Sequence, residues 1–228
     1  MGSDDLFHKK KARRGAELAR KQNNRTKILR FLIVCEGTKT EPYYLQEMIS
    51  ALNIPPQAVK IAPNNGTSPD RIVAHALKLY DDDAICGDSF DSVFCVFDRD
   101  KHDSFEAALQ RIRDLSGAAE SSKPFHAITS TPCFEYWLLL HFGFTDQSFH
   151  AAGQKSICDK LITVLRARPG FTKYGKGQQG TYTLLQDKLV TAIEGARRVR
   201  IAAHETGSIN PLTNFDELID AIQSLVAK

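Results

Sequence analysis

Two carboxylates, Asp98 and Asp100, close the apolar run Ser92-Val-Phe-Cys-Val-Phe97, with only Arg99 between them. An open α/β sheet gathers ligands at the carboxyl ends of its strands. Mg²⁺ is usually held there by one or two carboxylates together with substrate phosphates. Residues two apart on an ideal strand point to one face, so both acids could reach one cation. A second strand repeats the arrangement: Ile28 to Cys35 is nearly all apolar and runs into Glu36-Gly37-Thr38-Lys39-Thr40-Glu41. Two acidic strand ends point to one Mg²⁺ or Mn²⁺ site with Glu36, Asp98 and Asp100 as its catalytic and metal-binding core. Glu41, five residues after Glu36, is a further candidate ligand for a second metal, although a helix start favours a glutamate for dipole reasons alone.

Gly37 allows the backbone to turn close to a phosphate without a Cβ in the way. Glu135 stands among Phe134, Tyr136 and Trp137, where a charge is costly unless paired or metal-bound. It is expected either at the site or orienting Lys39 or an arginine. His141 lies six residues on, which is not a same-face helical spacing, so packing or a local hydrogen bond competes with catalysis. Glu135, Lys39 and His141 are therefore candidates for supporting the metal ligands. Trp137 and Leu138 to Leu140 read as core. Lys173, Tyr174 and Lys176, in a glycine-rich loop, could grip a phosphate or stack a base; a mobile basic loop is the competing reading.

The elements that must position these residues alternate between strand and helix, which favours an α/β layer structure. Strands are expected at 28–35, 59–62, 92–97 and 125–129. Helices are expected from about Glu41 to Leu52, from Ser68-Pro69 with Ser68 as N-cap, and through Phe105, Ala108, Leu109 and Ile112. Asn64 to Thr67 reads as a turn. Continuous apolar strands suit burial on both faces, as in a parallel sheet. After Phe142 the pattern gives helices near 153–166, 180–203 and 213–226 and no convincing strand. The expected division is a basic, flexible arm over 1–27, an α/β domain over 28–130 and a helical extension over 131–228.

Composition sets bounds on function. The chain has 228 residues, 42% hydrophobic and 25% charged, as in an ordinary soluble domain. No apolar run reaches a membrane span, and the charged N-terminus carries no visible secretory signal. Five cysteines without a C-x-x-C pair indicate neither a zinc site nor a disulfide framework, so a reducing cytoplasm is expected. The net charge of +3 is uneven. Residues 1–30 carry ten Lys or Arg against Asp4, Asp5 and Glu17, a net +7, which leaves −4 on the other 198 residues. The arm, with Lys9, Lys10, Lys11, Arg13 and Arg14, is a candidate nucleic-acid contact; a solvated leader is the alternative.

Four blocks together resemble the RloB-like family of bacterial proteins: Ile33-Val-Cys-Glu36-Gly37 with Thr40-Glu41 and Tyr44; Phe97-Asp98-x-Asp100; Thr131-Pro132-Cys133-Phe134-Glu135-x-Trp137 through His141-Phe142; and Asn210-Pro211-x-Thr213. The resemblance implies a Toprim-like (Rossmann-like), mostly parallel sheet flanked by helices. It further implies a metal-dependent nuclease in anti-phage defence and abortive infection, acting on RNA such as tRNA or on DNA, with an ATPase encoded nearby as a possible partner. On that match Glu36 is the Toprim glutamate, with a role as general acid/base or metal ligand. Two other readings stay open. One is a catalytically silent subunit that binds nucleic acid or the ATPase. The other is a haloacid-dehalogenase-type phosphatase, in which Asp98 would be the nucleophile and Asp100 the general acid. That motif normally continues to Thr or Val where His102 stands, and lies on the first core strand.

Overall fold

The computed structural model describes residues 28–63, 68–87, 89–99, 104–117, 122–151 and 156–226. The 1–27 arm, the 64–67 turn and Asp100 lie outside them. Five strands form one sheet: β1 (Phe31–Cys35), β2 (Val59–Pro63), β3 (Ser92–Asp98), β4 (Phe125–Thr131) and β5 (Leu212–Thr213), in the order β2-β1-β3-β4-β5. The first four are parallel. The helices are α1 (Thr40–Ala51), α2 (Pro69–Ile85), α3 (Phe105–Gly117), α4 (Glu135–Leu140), α5 (Ile157–Arg166), α6 (Thr181–Leu185), α7 (Leu189–Thr206) and α8 (Phe215–Gln223).

The period-two alternation of the strands divides the core into two layers. Phe31, Ile33 and Cys35 of β1, with Phe94 and Val96 of β3, face α1 and the helices of the second half. Leu32 and Val34, with Val93, Cys95 and Phe97, face α2 and α3. Both faces are covered, which is why β1 and β3 carry no polar residue within their buried runs. The chain leaves β1 toward β2 on one side and later returns to β3 on the other. The crevice at the carboxyl ends of β1 and β3 is therefore the topological switch point, where such sheets take ligands.

The second half differs from its sequence reading in two places. Leu212 and Thr213, at the expected start of the 213–226 helix where no strand is expected, form β5 and pair antiparallel with Thr131 and Ser130. The reason lies in side chains: Thr213 Oγ1 and Ser130 Oγ are 3.0 Å apart, and Asn214 Oδ1 accepts from Thr129 N–H at 2.7 Å while its Nδ2 donates to Ala127 O at 2.9 Å. An amide side chain thus completes the edge of β4 where backbone pairing stops. The expected 180–203 helix is broken by a 3₁₀ turn at Gln186–Lys188. The break lets α6 set Tyr182 edge-on against Tyr44 of α1, ring centroids 5.4 Å apart, before α7 departs. Replacing Asn214 by Leu would orphan Thr129 N–H and Ala127 C=O and is expected to cost about 1–3 kcal/mol in urea unfolding; a change under half of that would show the edge to be satisfied otherwise.

Candidate functional site

Strand parity places the first carboxylate. Phe94 and Val96 face the α1 side, so Asp98 at the end of β3 falls on that side too. It comes to lie with Glu41 of α1 and Glu135 of α4. Glu36, just past β1, accepts the Asp98 backbone N–H on Oε2 at 3.0 Å, which ties the two strand ends together across the switch point. Four acids therefore lie within electrostatic reach of one another, where the sequence alone placed two at strand ends and left two as lesser candidates.

Glu41 is buried, and burial followed by the charges of Glu135 and Glu36 raises its pKa to about 7, against the relief given by its own backbone and by Lys176. Asp98 is pushed well above the ordinary carboxylate range by burial and by Glu41, Glu135 and Glu36 in that order. Glu135 is only 1% exposed. Its Oε1 accepts from Tyr174 Oη at 3.3 Å, and its buried Oε2 has no hydrogen-bond partner. The cation nearest to that oxygen is Lys176 Nζ at 3.8 Å, not Lys39. Burial opposes the Lys176 charge, but Glu135, Cys133 and Asp98 outweigh it and hold the ammonium above the usual lysine range.

Lys176 is delivered by a loop anchored on α1. Gly177 N–H donates to Thr40 Oγ1 at 2.9 Å, and Gly177 adopts φ +77° with its backbone packed on the Lys39 stem. Any Cβ there would lie 3.0 Å from Lys39 carbons and would strain the turn. Farther along, the Glu47 carboxylate of α1 accepts the N–H groups of Gly180 and Tyr182, fixing the start of α6. Lys39 thus supports the loop with its stem and does not pair with Glu135.

Gly37 serves a different purpose from the one its sequence position implies. A Cβ on it would lie 2.5 Å from Glu41 Oε2. The space it leaves is taken by the Glu41 carboxylate. Tyr174 also departs from expectation: at 1% exposure, with its hydroxyl on Glu135, its ring has no free face on which to stack a base. Lys173 is exposed on the same loop. His141 is buried away from solvent, with Nδ1 3.0 Å from Trp137 O and Nε2 3.3 Å from Tyr44 Oη. Sequence reading passed over Cys133, whose thiol pKa is raised by its contact with Cys158 and by burial, and Arg99, whose guanidinium sits over Phe105 and pairs with Glu106 at 3.1 Å. Neither carried a motif of its own.

The donor set fits a hard divalent cation in kind: all carboxylate oxygens, one of them buried and unpartnered. Among the described residues there is no group of three or more His, Cys, Asp or Glu that could hold a metal ion; Asp100 is outside that set. No described helix is long and apolar enough to cross a membrane.

Two predictions follow from the burial of these groups. With its own buried charge removed from beside Glu135 and Glu36, Glu41→Gln is expected to raise the metal-free melting temperature at pH 8; a drop would mean that the other carboxylates do not repel it. Burial lowers the His141 pKa to about 4. The unfolded chain then takes up the proton first, so the stability that neutral His141 gives is complete above about pH 6.5 and is lost as pH falls toward 4. The advantage of wild type over His141→Gln in urea unfolding should shrink by about 2 kcal/mol between pH 7 and pH 5; a constant gap would contradict the burial of a neutral ring.

A family model described as "RloB-like protein" matches residues 31–222. No curated protein and no solved structure matches the chain.

Proposed function

Because the chain belongs to the RloB-like family, we propose that it is a metal-dependent nuclease of bacterial anti-phage defence, hydrolysing phosphodiester bonds of RNA or DNA. The observation that supports this most is that Glu36, Glu41, Asp98 and Glu135 act electrostatically on one another near the switch point, with the pKa of Asp98 and Glu41 raised by burial and by these neighbours. Such a cluster repels phosphate and itself unless a cation offsets it. Mg²⁺ or Mn²⁺ would be held by Asp98, Asp100 and Glu36, with Glu41 beside them. When bound, the ion would polarise the phosphate and supply an ionised water.

The chain's own groups have separable tasks. Glu36, oriented by the Asp98 N–H that it accepts, would serve as metal ligand or proton carrier. Glu135, fixed by Tyr174, keeps Lys176 at the edge of the cluster, where the ammonium can meet a non-bridging phosphate oxygen. The basic arm, with Lys9, Lys10, Lys11, Arg13 and Arg14, would add sequence-independent attraction, and an ATPase encoded nearby would be its partner.

One observation favours a second reading, that of a silent subunit binding nucleic acid or the ATPase: Lys176 already gives Glu135 a counter-charge from within the chain. The phosphatase reading is not proposed, since among the described residues β1 and β2 precede β3, whereas that motif lies on the first core strand.

The test is metal-dependent cleavage of a panel of tRNA, single-stranded RNA and duplex DNA, with and without the ATPase. Asp98→Ala is expected to lower cleavage by more than the roughly 10–100-fold that loss of a supporting group costs, with the fold retained. A folded variant with unchanged turnover would refute the assignment, and silence of wild type on every polymer despite metal binding would favour the subunit.

A further inference from the structure

Beside the carboxylate cluster lies a cavity of about 630 Å³, within the range that holds a nucleotide-sized ligand. Its wall continues directly from the site. Arg99 is the residue after Asp98, Lys176 is the cation next to Glu135, and Pro132 belongs to the turn that leads from β4 to α4. The remaining surface is largely apolar, with Ile157 and Ile209 among its residues. Among the described lining residues Ser156 caps α5 through Asp159, the Asn210 amide bonds the Phe149 backbone, and Thr131 and Cys158 add a hydroxyl and a thiol. The described residues thus offer a ligand two cations, Arg99 and Lys176, and a hydrophobic wall.

That combination matches one chemical unit, a flat apolar base joined to an anionic phosphate. Lys176 faces both the cluster and the cavity, so a phosphate near its ammonium would lie at the metal site while the attached base enters the cavity. Arg99 is held at the other side by Phe105 and the exposed Glu106; a guanidinium has five N–H donors, more than one carboxylate contact uses. A base stacked in a duplex cannot enter without being extruded, at the cost of its stacking and pairing.

Building on the nuclease reading, we propose that this cavity seats one unpaired nucleotide next to the phosphate to be cleaved, so that the substrate is single-stranded nucleic acid or an unpaired segment of a folded one. Arg99 is then a substrate-binding residue, and the apolar wall of Pro132, Ile157 and Ile209 receives the base. Selection of strandedness comes from the cavity, and cleavage comes from the carboxylates.

The experiment measures fluorescence anisotropy of labelled 12-nucleotide single strands, in DNA and RNA forms, and of the corresponding duplexes, with the full chain in Mg²⁺, alongside cleavage of the same strands. Ala151 lines the cavity and is exposed, so Ala151→Trp fills the cavity without disturbing the core. Wild type is expected to prefer single strands by at least about tenfold, the equivalent of a fraction of the extrusion cost. Ala151→Trp should erase that preference at an unchanged melting temperature, and Arg99→Gln should weaken single-strand binding and reduce its salt slope by about one phosphate. Equal binding of duplex and single strand, or a preference untouched by Ala151→Trp, overturns the cavity assignment even if cleavage is seen. Single-strand binding that depends on the cavity but yields no cleavage, with or without the ATPase, supports the assignment and overturns the nuclease reading instead. The DNA and RNA arms show which sugar the cavity accepts.

Discussion

Repulsion among Glu36, Glu41, Asp98 and Glu135 is the constraint on which the site depends. Burial together with the neighbouring carboxylates raises the pKa of Asp98 and of Glu41 at the end of the sheet. Several features of the fold serve that point. Gly37 lacks the Cβ that would displace the Glu41 carboxylate. Tyr174 is buried so that its hydroxyl can hold Glu135. Gly177 takes a left-handed turn against Lys39 so that Lys176 arrives beside Glu135. None of these contributes much apolar burial beyond its own ring or stem. Their common effect is to hold charge in a place where charge is unfavourable.

The sheet makes this arrangement possible through its topology. β1 and β3 are neighbours although β2 separates them in sequence, so the loops after them open in opposite directions and leave a crevice. Strand parity then assigns Asp98 to the α1 layer, and the packing of α4 in the same layer brings Glu135 to it. The second half of the chain is part of this layer: its helices share a hydrophobic cluster with β1, β3 and α1. It supplies Glu135, Tyr174 and Lys176 to a site whose other members come from the first half. The site is therefore built by the whole fold and not by the α/β segment alone.

Much of the framework was legible because its cause is local. β1 and β3 announce themselves as unbroken apolar runs, since both faces are covered, and α1 and α2 begin where acids, Pro69 and turn residues mark them. β5 was not legible, because two residues cannot show a period and the pairing is completed by the Asn214 side chain. Glu36 and Asp98 could be read from their place at strand ends. The equal standing of Glu135 and Glu41 could not, because it depends on which side of the sheet two separate helices pack. Tyr174 reads as an exposed aromatic in a basic loop until the anchoring of that loop on Thr40 turns it inward. The position of Lys176 follows from the same anchor, across 137 residues between Thr40 and Gly177.

Whether the cluster takes up a divalent cation is the claim from which the rest of the functional account follows. The most direct measurement is electron paramagnetic resonance of Mn²⁺ titrated into the full chain at neutral pH, comparing wild type with Asp98→Asn and Glu41→Gln. The account predicts loss of the free-ion signal with wild type, competition by Mg²⁺, and weaker uptake by both variants, with Asp98→Asn the weaker. A free Mn²⁺ signal undiminished by wild-type protein, with the fold intact, would contradict it and leave Lys176 as the only counter-charge the described carboxylates require.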